Sequence, residues 1–268
     1  MNSNFLDKIV SLTRSRVATA RAAIGESSLR SAALDARKSA EPHRLRSALS
    51  RRGRINVIAE FKRASPSKGL ISIESNLAET VRAYEAAGAC AVSVLTEPEY
   101  FRGSLEDLRA AREVVGLPLL RKDFVVDSYQ IHEAAAAGAD AVLLIVAALT
   151  VDELALLLNL AERQLGMDAL VEVHSKEELD RAIQMGAALI GVNNRDLKSL
   201  NVSLDVSREL IAHKPNGTLM ITESGISNAD EIAELRSLGF DGFLIGETLM
   251  RSGDPGATLN SWEVATTK

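Results

Sequence analysis

AGACAVSVL (87–95), AGADAVLLI (137–145), MGAALIGVN (185–193) and LGFDGFLIG (238–246) read alike. Each is the end of a helix, a glycine, and an apolar run of the length of one buried strand. The glycines Gly88, Gly138, Gly186 and Gly239 are separated by 50, 48 and 53 residues, and glycine there suits a left-handed helix C-cap. An even period of this size marks an internal repeat. Further apolar runs at 55–61, 117–120, 169–173 and 219–222 lie between the copies, so each repeat carries two strands. The intervening segments have helical spacing, as in Leu77, Val81 and Tyr84, or Leu154, Leu157 and Leu158, or Ile232, Leu235 and Leu238. Eight strand-helix units in about 210 residues predict an α/β fold, the (β/α)8 TIM barrel. An open doubly wound sheet is the competing arrangement; against it, no G-x-G-x-x-G follows the first strand and the strands recur evenly.

The remaining 54 residues at the start form an N-terminal helical extension in this reading, packed over the barrel mouth. Residues 55–268 make the barrel, and the whole is one structural domain. Phe5, Ile9, Leu12 and Ala20 fall near helical spacing, with Asn4 as N-cap and Asp7 in the first turn. Residues 11–40 are rich in Arg, Ser and Ala and imitate an organellar transit peptide, but the amphipathic helix accounts for them structurally. The Arg-rich stretch 44–54 reads as a solvated linker. A net charge of −5 over 268 residues lacks the positive field that non-specific nucleic-acid binding needs. The run AVLLIVAALTV (141–151) is about half a membrane span, so no membrane partner is expected. The one cysteine, Cys90, forms no internal disulfide and favours a reducing, cytoplasmic setting.

In such a barrel the chemistry collects where the strands end. Strand one ends in Glu60 and Lys62, two apart and so on one face, before the loop RASPSKG (63–69). A surface ion pair beyond the sheet is the alternative to an inward pair. Strand two runs into Thr96, Glu97, Tyr100 and Phe101, a loop that could simply be solvated. Strand three places Leu120, Lys122 and Phe124 at alternate positions, and strand five does the same with Leu170 and Glu172. A carboxylate inside an apolar β run is costly unless paired or functional. Asn193, Asn194, Arg195 and Asp196 end strand six; Glu223, Ser224 and Gly225 end strand seven; Gly246 and Glu247 follow strand eight. The last two loops can offer backbone N–H groups at the usual barrel phosphate site, which points to a phosphorylated substrate.

Nearly the whole chain, from FLDKIV (5–10) to FLIGETLM (243–250), resembles the indole-3-glycerol phosphate synthases. The specific stretches are VIAEFKRASPSKG (57–69), SVLTEPEYFRGS (93–104), LLRKDFVVDSYQI (119–131), ALVEVH (169–174), IGVNNRDL (190–197) and TESGI (222–226). The resemblance implies a carboxy-lyase of tryptophan biosynthesis. Its substrate would be 1-(2-carboxyphenylamino)-1-deoxyribulose 5-phosphate, closed to indole-3-glycerol phosphate, carbon dioxide and water with no metal or organic cofactor. It implies Lys122 as the acid at the ribulose C2 oxygen, Glu172 and Lys62 for a second proton, and Glu60 as base or as the group orienting Lys62. Arg195 and Asn193 would meet the substrate carboxylate and hydroxyls, and Phe101, Phe124 and Leu143 would wall its ring. Ser65, Ser224, Gly225, Gly246 and Glu247 match the phosphate end, with the Glu247 side chain turned away because a carboxylate repels phosphate. Glu223 would keep neighbouring cations charged.

Two other classes compete. An isomerase such as phosphoribosylanthranilate isomerase would use a cysteine at a strand C-terminus, whereas Cys90 opens strand two at the opposite face. A sugar-phosphate binder would keep the phosphate loops and lose Lys62, Lys122 and Glu172. The oligomeric state is open, with a monomer slightly favoured.

Overall fold

Alternation along each strand sends one set of side chains into the barrel and the other against the helices. The computed structural model describes residues 5–71 and 75–266. Its closed parallel barrel comprises β1 (Val57–Phe61), β2 (Ala91–Leu95), β3 (Leu119–Lys122), β4 (Ala141–Ile145), β5 (Asp168–Val173), β6 (Leu189–Asn193), β7 (Leu219–Glu223) and β8 (Gly242–Ile245). Neighbours in sequence are neighbours in space, and β8 joins β1 through Val57↔Phe243 and Ile58↔Leu244, so no edge is left. Ile58, Leu120, Leu143, Leu170, Ile221 and Leu244 pack inside the barrel, while Val57, Val92, Leu119, Val171 and Phe243 pack outward against the helices.

Three helices precede the barrel: α1 (Phe5–Ala23), α2 (Glu26–Arg37) and α3 (Arg44–Leu49). The helices between strands are α4 (Leu77–Ala86), α5 (Leu105–Val114), α6 (Ser128–Ala136), α7 (Val151–Asn159), α8 (Lys176–Gln184), α9 (Asp205–Leu210) and α10 (Ala229–Leu238). After β8 come α11 (Glu247–Arg251) and α12 (Pro255–Thr266). Their starts are chemically specified. Asn76, Ser104, Asp127, Thr150, Ser175 and Asn228 each accept a first-turn backbone N–H, a cap that contributes about 1 kcal/mol. The four repeat glycines all adopt positive φ, between 77° and 114°, as the helix-ending reading requires.

The N-terminal segment touches both ends of the barrel. Phe5 at the start of α1 stands edge-on to Tyr100 at 5.0 Å and to Phe124 at 6.4 Å, on the side where strands end. Helix α2 packs along α6. Helix α3 lies at the other end, where Leu45 and Leu49 join the interior core beneath the strand starts. Residues 44–49 are therefore a floor and not a solvated linker: their apolar stripe is hidden in sequence by Arg44 and Arg46 within it and His43 before it. Both arginines are held by carboxylates that open strands. Arg44 Nη1 donates to Asp140 at 2.9 Å, and the Arg46 backbone N–H donates to Asp168 at 3.0 Å. The expected N-cap Asn4 lies outside the described residues. No helix among the described residues is long and apolar enough to cross a membrane.

Asp140 is a shared anchor: besides Arg44 it accepts from Arg112 Nη1 at 2.9 Å and from the Leu119 backbone N–H at 3.0 Å, with Arg37 3.6 Å away. Asp140→Ala strands these donors and is expected to cost about 3–5 kcal/mol. Urea unfolding checks this, with the midpoint falling and the slope unchanged.

Candidate active site

Because the inward positions of successive strands converge at the C-terminal rim, the polar residues that end them meet. A cavity of about 1110 Å³ opens there. On its wall lie Glu60, Lys62, Ser65, Phe101, Lys122, Phe124, Leu143 and Glu172, with Asn193, Arg195, Glu223, Ser224, Gly225, Gly246 and Glu247. Every residue for which the resemblance implied a catalytic or binding role is thus brought to one place. Asn194 and Asp196 are not: Asn194 Nδ2 donates to Thr222 Oγ1 and to the Glu223 and Ser224 carbonyls, bracing β6 against β7. Asp196 accepts two backbone N–H groups of its own turn.

Five charges form the floor of the cavity. Lys122 Nζ is 3.2 Å from Glu223 Oε2, 3.6 Å from Glu172 Oε2 and 3.9 Å from Glu60 Oε2. Lys62 Nζ is 2.8 Å from Glu60 Oε1, so this pair is inward and not on the surface. Burial alone would lower the Lys122 pKa, but the three carboxylates outweigh it and raise it above the ordinary lysine value. Burial would raise Glu172, yet the Lys122 charge and His174 hold it well below the carboxylate range. Glu60 is likewise held low, against burial, by Lys62 and Lys122. Glu223 goes the other way: burial and the neighbouring Glu172 and Glu60 prevail over Lys122 and raise it. The site therefore rests with Lys122 protonated and Glu60 and Glu172 ionised.

Two glycines make this crowding possible, and sequence reading missed the first. A Cβ on Gly191 would lie 2.1 Å from Glu223 Oε1, so the bare backbone of β6 is the slot that admits the Glu223 carboxylate. A Cβ on Gly246 would lie 2.4 Å from Glu60 Oε1 and 2.9 Å from Glu60 Cβ. Gly246 thus makes room for Glu60, a reason additional to the backbone approach to phosphate expected of it.

The apolar wall is built by a loop that is ordered and not solvated. Glu97 is buried and accepts the backbone N–H groups of Glu99, Tyr100 and Phe101 at 3.0, 2.7 and 3.1 Å, which fixes the turn that presents both rings. Phe101 and Phe124 stand 6.4 Å apart, tilted, with Leu143 also on the wall. Helix α1 is tied to the same region: Arg16 Nη2 donates to Asp123 Oδ1 at 2.9 Å, beside Lys122 in sequence, and Asp123 also accepts from Thr96 and Arg121.

At the opposite wall Ser224 and Gly225 both have positive φ, 66° and 82°, and Gly246 leads into α11. Arg195 Nη1 donates to the Leu200 carbonyl and to Ser67 Oγ, and its backbone N–H donates to Asn193 Oδ1 at 3.0 Å. The Glu247 carboxylate lies 3.5 Å from Arg251 Nε and 4.0 Å from Arg195 Nη2, so it sits between two guanidinium groups on the cavity wall. The residue most clearly missed is His174. It follows β5 two positions after Glu172, and that spacing was the available signal.

A family model described as indole-3-glycerol phosphate synthase matches residues 6–261. Among relatives, an indole-3-glycerol phosphate synthase of Carboxydothermus hydrogenoformans is 47% identical over 259 residues, covering 95% of this chain and 98% of that protein. One of Laribacter hongkongensis is 46% identical over 261 residues, covering 96% and 98%. Of solved structures, a 3-hexulose-6-phosphate synthase from Salmonella typhimurium superposes with a TM-score of 0.63 at 14% identity, covering 79% of this chain and 98% of that one. That likeness concerns the fold.

The Gly191 slot has a measurable consequence. Gly191→Ala is expected to destabilise by about 1–3 kcal/mol through overpacking. In a Glu223→Ala background most of that cost should vanish, because the colliding carboxylate is gone; a double-mutant cycle on thermal unfolding reads the coupling.

Proposed function

The chain belongs to the indole-3-glycerol phosphate synthase family and catalyses that family's reaction in tryptophan biosynthesis, and we propose that Lys122 is the acid that starts it. The substrate, 1-(2-carboxyphenylamino)-1-deoxyribulose 5-phosphate, loses carbon dioxide and water as the indole ring closes. The observation that carries the proposal is Lys122 Nζ held 3.2–3.9 Å from three buried carboxylates at the cavity floor.

The phosphate lies against the N–H groups of Ser224, Gly225, Gly246 and Glu247, with Ser65 nearby, and the anthranilate ring lies along Phe101, Phe124 and Leu143. Arg195, oriented by Asn193 and Leu200, meets the substrate carboxylate. Glu247 turns to Arg251 when phosphate enters, since like charges repel.

In the first step an arene carbon attacks C2 of the ribulose chain and the carbonyl oxygen takes a proton from Lys122, giving a hydroxyl. Loss of carbon dioxide returns its bonding electrons to the ring. The hydroxyl then leaves as water with a proton from Lys62, and a base takes a proton from C1 to complete the indole. Glu172, ionised at rest between Lys122 and His174, suits that base better than the acid role expected of it. Glu60 orients Lys62. Such fixed charges stabilise a developing oxyanion without reorganising in the transition state. The same reading holds the protein to be cytoplasmic and without a nucleic-acid partner; the buried lone Cys90 and the net charge of −5 support it.

Indole fluorescence on mixing the purified protein with substrate in EDTA tests the reaction itself. Lys122→Met is expected to lower kcat by roughly 10²-fold or more with KM little changed, the range for a lost general acid. A full-rate variant removes Lys122 from the mechanism. Gly246→Ala should lower kcat and raise KM together, because its Cβ displaces Glu60 while narrowing the phosphate approach.

A further inference from the structure

His174 takes no step in the chemistry above, yet its ring contacts the Glu172 carboxylate. Strand parity sends it inward beside Glu172. Its Nε2 is 3.3 Å from Glu172 Oε1, and its Nδ1 is 3.1 Å from Glu178 Oε2. The same Glu178 oxygen accepts the His174 backbone N–H at 2.8 Å. Glu178 is itself fixed, because it is the third residue of α8 and its backbone N–H donates to the N-cap Ser175 at 3.3 Å. The imidazole thus stands between two carboxylates, and its side chain is 12% exposed.

We propose that His174 is a positioning residue: clamped by Glu178, it acts as a fixed cation that pins the Glu172 carboxylate against Lys122. The argument is one of donors. A neutral imidazole has one N–H and one lone pair, so either tautomer would turn a lone pair toward a carboxylate oxygen; the imidazolium makes both contacts ion pairs, with a hydrogen bond at Nδ1 and charge alone at Nε2. Glu172 is then bracketed by two cations, with His174 Nε2 3.3 Å from Oε1 and Lys122 Nζ 3.6 Å from Oε2. The charged groups that face this unit are Glu172 from β5, Glu178 from α8 and, through Glu172, Lys122 from β3. The turn after β4, residues 146–148, packs on β5 and α8 with apolar side chains alone, and β6 brings the uncharged Asn193. Burial would depress the histidine, but both carboxylates raise it to about 10, in keeping with the geometry. Its contribution to stability is then full below about 6.5 and lost as pH rises through about 10.

This inference rests on the reading of Glu172 as the base, and the test separates the two. Steady-state kcat, KM and pH profiles are measured for the intact enzyme and for His174→Ala, His174→Gln, Glu172→Gln and the double variant His174→Ala/Glu172→Gln. His174→Ala is expected to lower kcat roughly 10- to 100-fold, the cost of a misplaced group, with KM little changed. The acid limb of its kcat profile should move to higher pH, because the cation that keeps Glu172 ionised is gone. His174→Gln, a neutral donor, should recover part of kcat and leave the limb shifted. In the Glu172→Gln background, His174→Ala should cost nothing more.

An unmoved acid limb, or an equal loss in both backgrounds, overturns the positioning role while leaving Glu172 in place. Full activity in Glu172→Gln overturns the base reading and this inference with it. Ring ¹⁵N shifts of the unmodified enzyme give a readout independent of any variant's folding: His174 should remain imidazolium at pH 8, and a neutral ring there overturns the proposal.

Discussion

Three carboxylates and two ammonium groups share the rim of a barrel whose interior below them is mostly apolar, and neither set is tolerable there alone. An isolated buried ion costs several kcal/mol, so Glu60, Glu172 and Glu223 stay only because Lys62 and Lys122 lie among them. The compensation is uneven. Lys122 touches all three carboxylates and is the member whose charge is most firmly fixed, whereas Glu223, crowded by two others, is the one whose ionised form is weakened. The rest of the rim follows from this arrangement: strand parity delivers the groups, bare backbone at Gly191 and Gly246 admits their oxygens, and the cavity above them is left for the substrate. The same proximity that makes the cluster stable also sets an ammonium group and a carboxylate 3.6 Å apart, an acid beside a base.

Much of this was legible before any coordinates. A β run that carries Leu170 and Glu172 on one face announces a carboxylate with a task, and the alternation of Leu120 with Lys122 does the same for the ammonium. The repeat glycines set the helix ends, and from these the strand order and the closure of the barrel follow. What stayed hidden depends on distance in the chain. A glycine inside a strand reads as a bulge or a close approach. That Gly191 is a slot for Glu223, a side chain on the next strand, is a fact of packing which no local pattern encodes. Glu97 looked like one more polar loop residue because its three acceptor bonds go to backbone N–H groups, which have no identity in sequence. Helix α3 was obscured by charge: its arginines point to carboxylates at strand starts, which only the fold brings there.

The segment ahead of β1 works as a strap. Its first helix reaches the rim, where Phe5 joins the aromatic wall and Arg16 binds Asp123 next to Lys122. Its third helix fills the bottom with Leu45 and Leu49. Asp123 is buried, and burial would raise its pKa, but Arg121 and Arg16 keep it ionised, so α1 is tied through a charged contact to the residue adjoining the acid. A shift of α1 is therefore felt at the strand end that carries the chemistry.

The seam between β1 and β8 bears on how such a chain is made. Synthesis proceeds from the N-terminus, so α3 and β1 emerge with their apolar faces bare, and Ile58 must wait for Leu244, the residue it will lie against. Until the last repeat leaves the ribosome, β1 keeps one row of backbone donors and acceptors open, the kind of surface on which strands of other molecules can pair. Closure is thus a late event dominated by contacts far apart in sequence, which are the slow ones. For most of the time taken to translate it, the chain therefore carries an unfinished barrel with an unpaired strand edge.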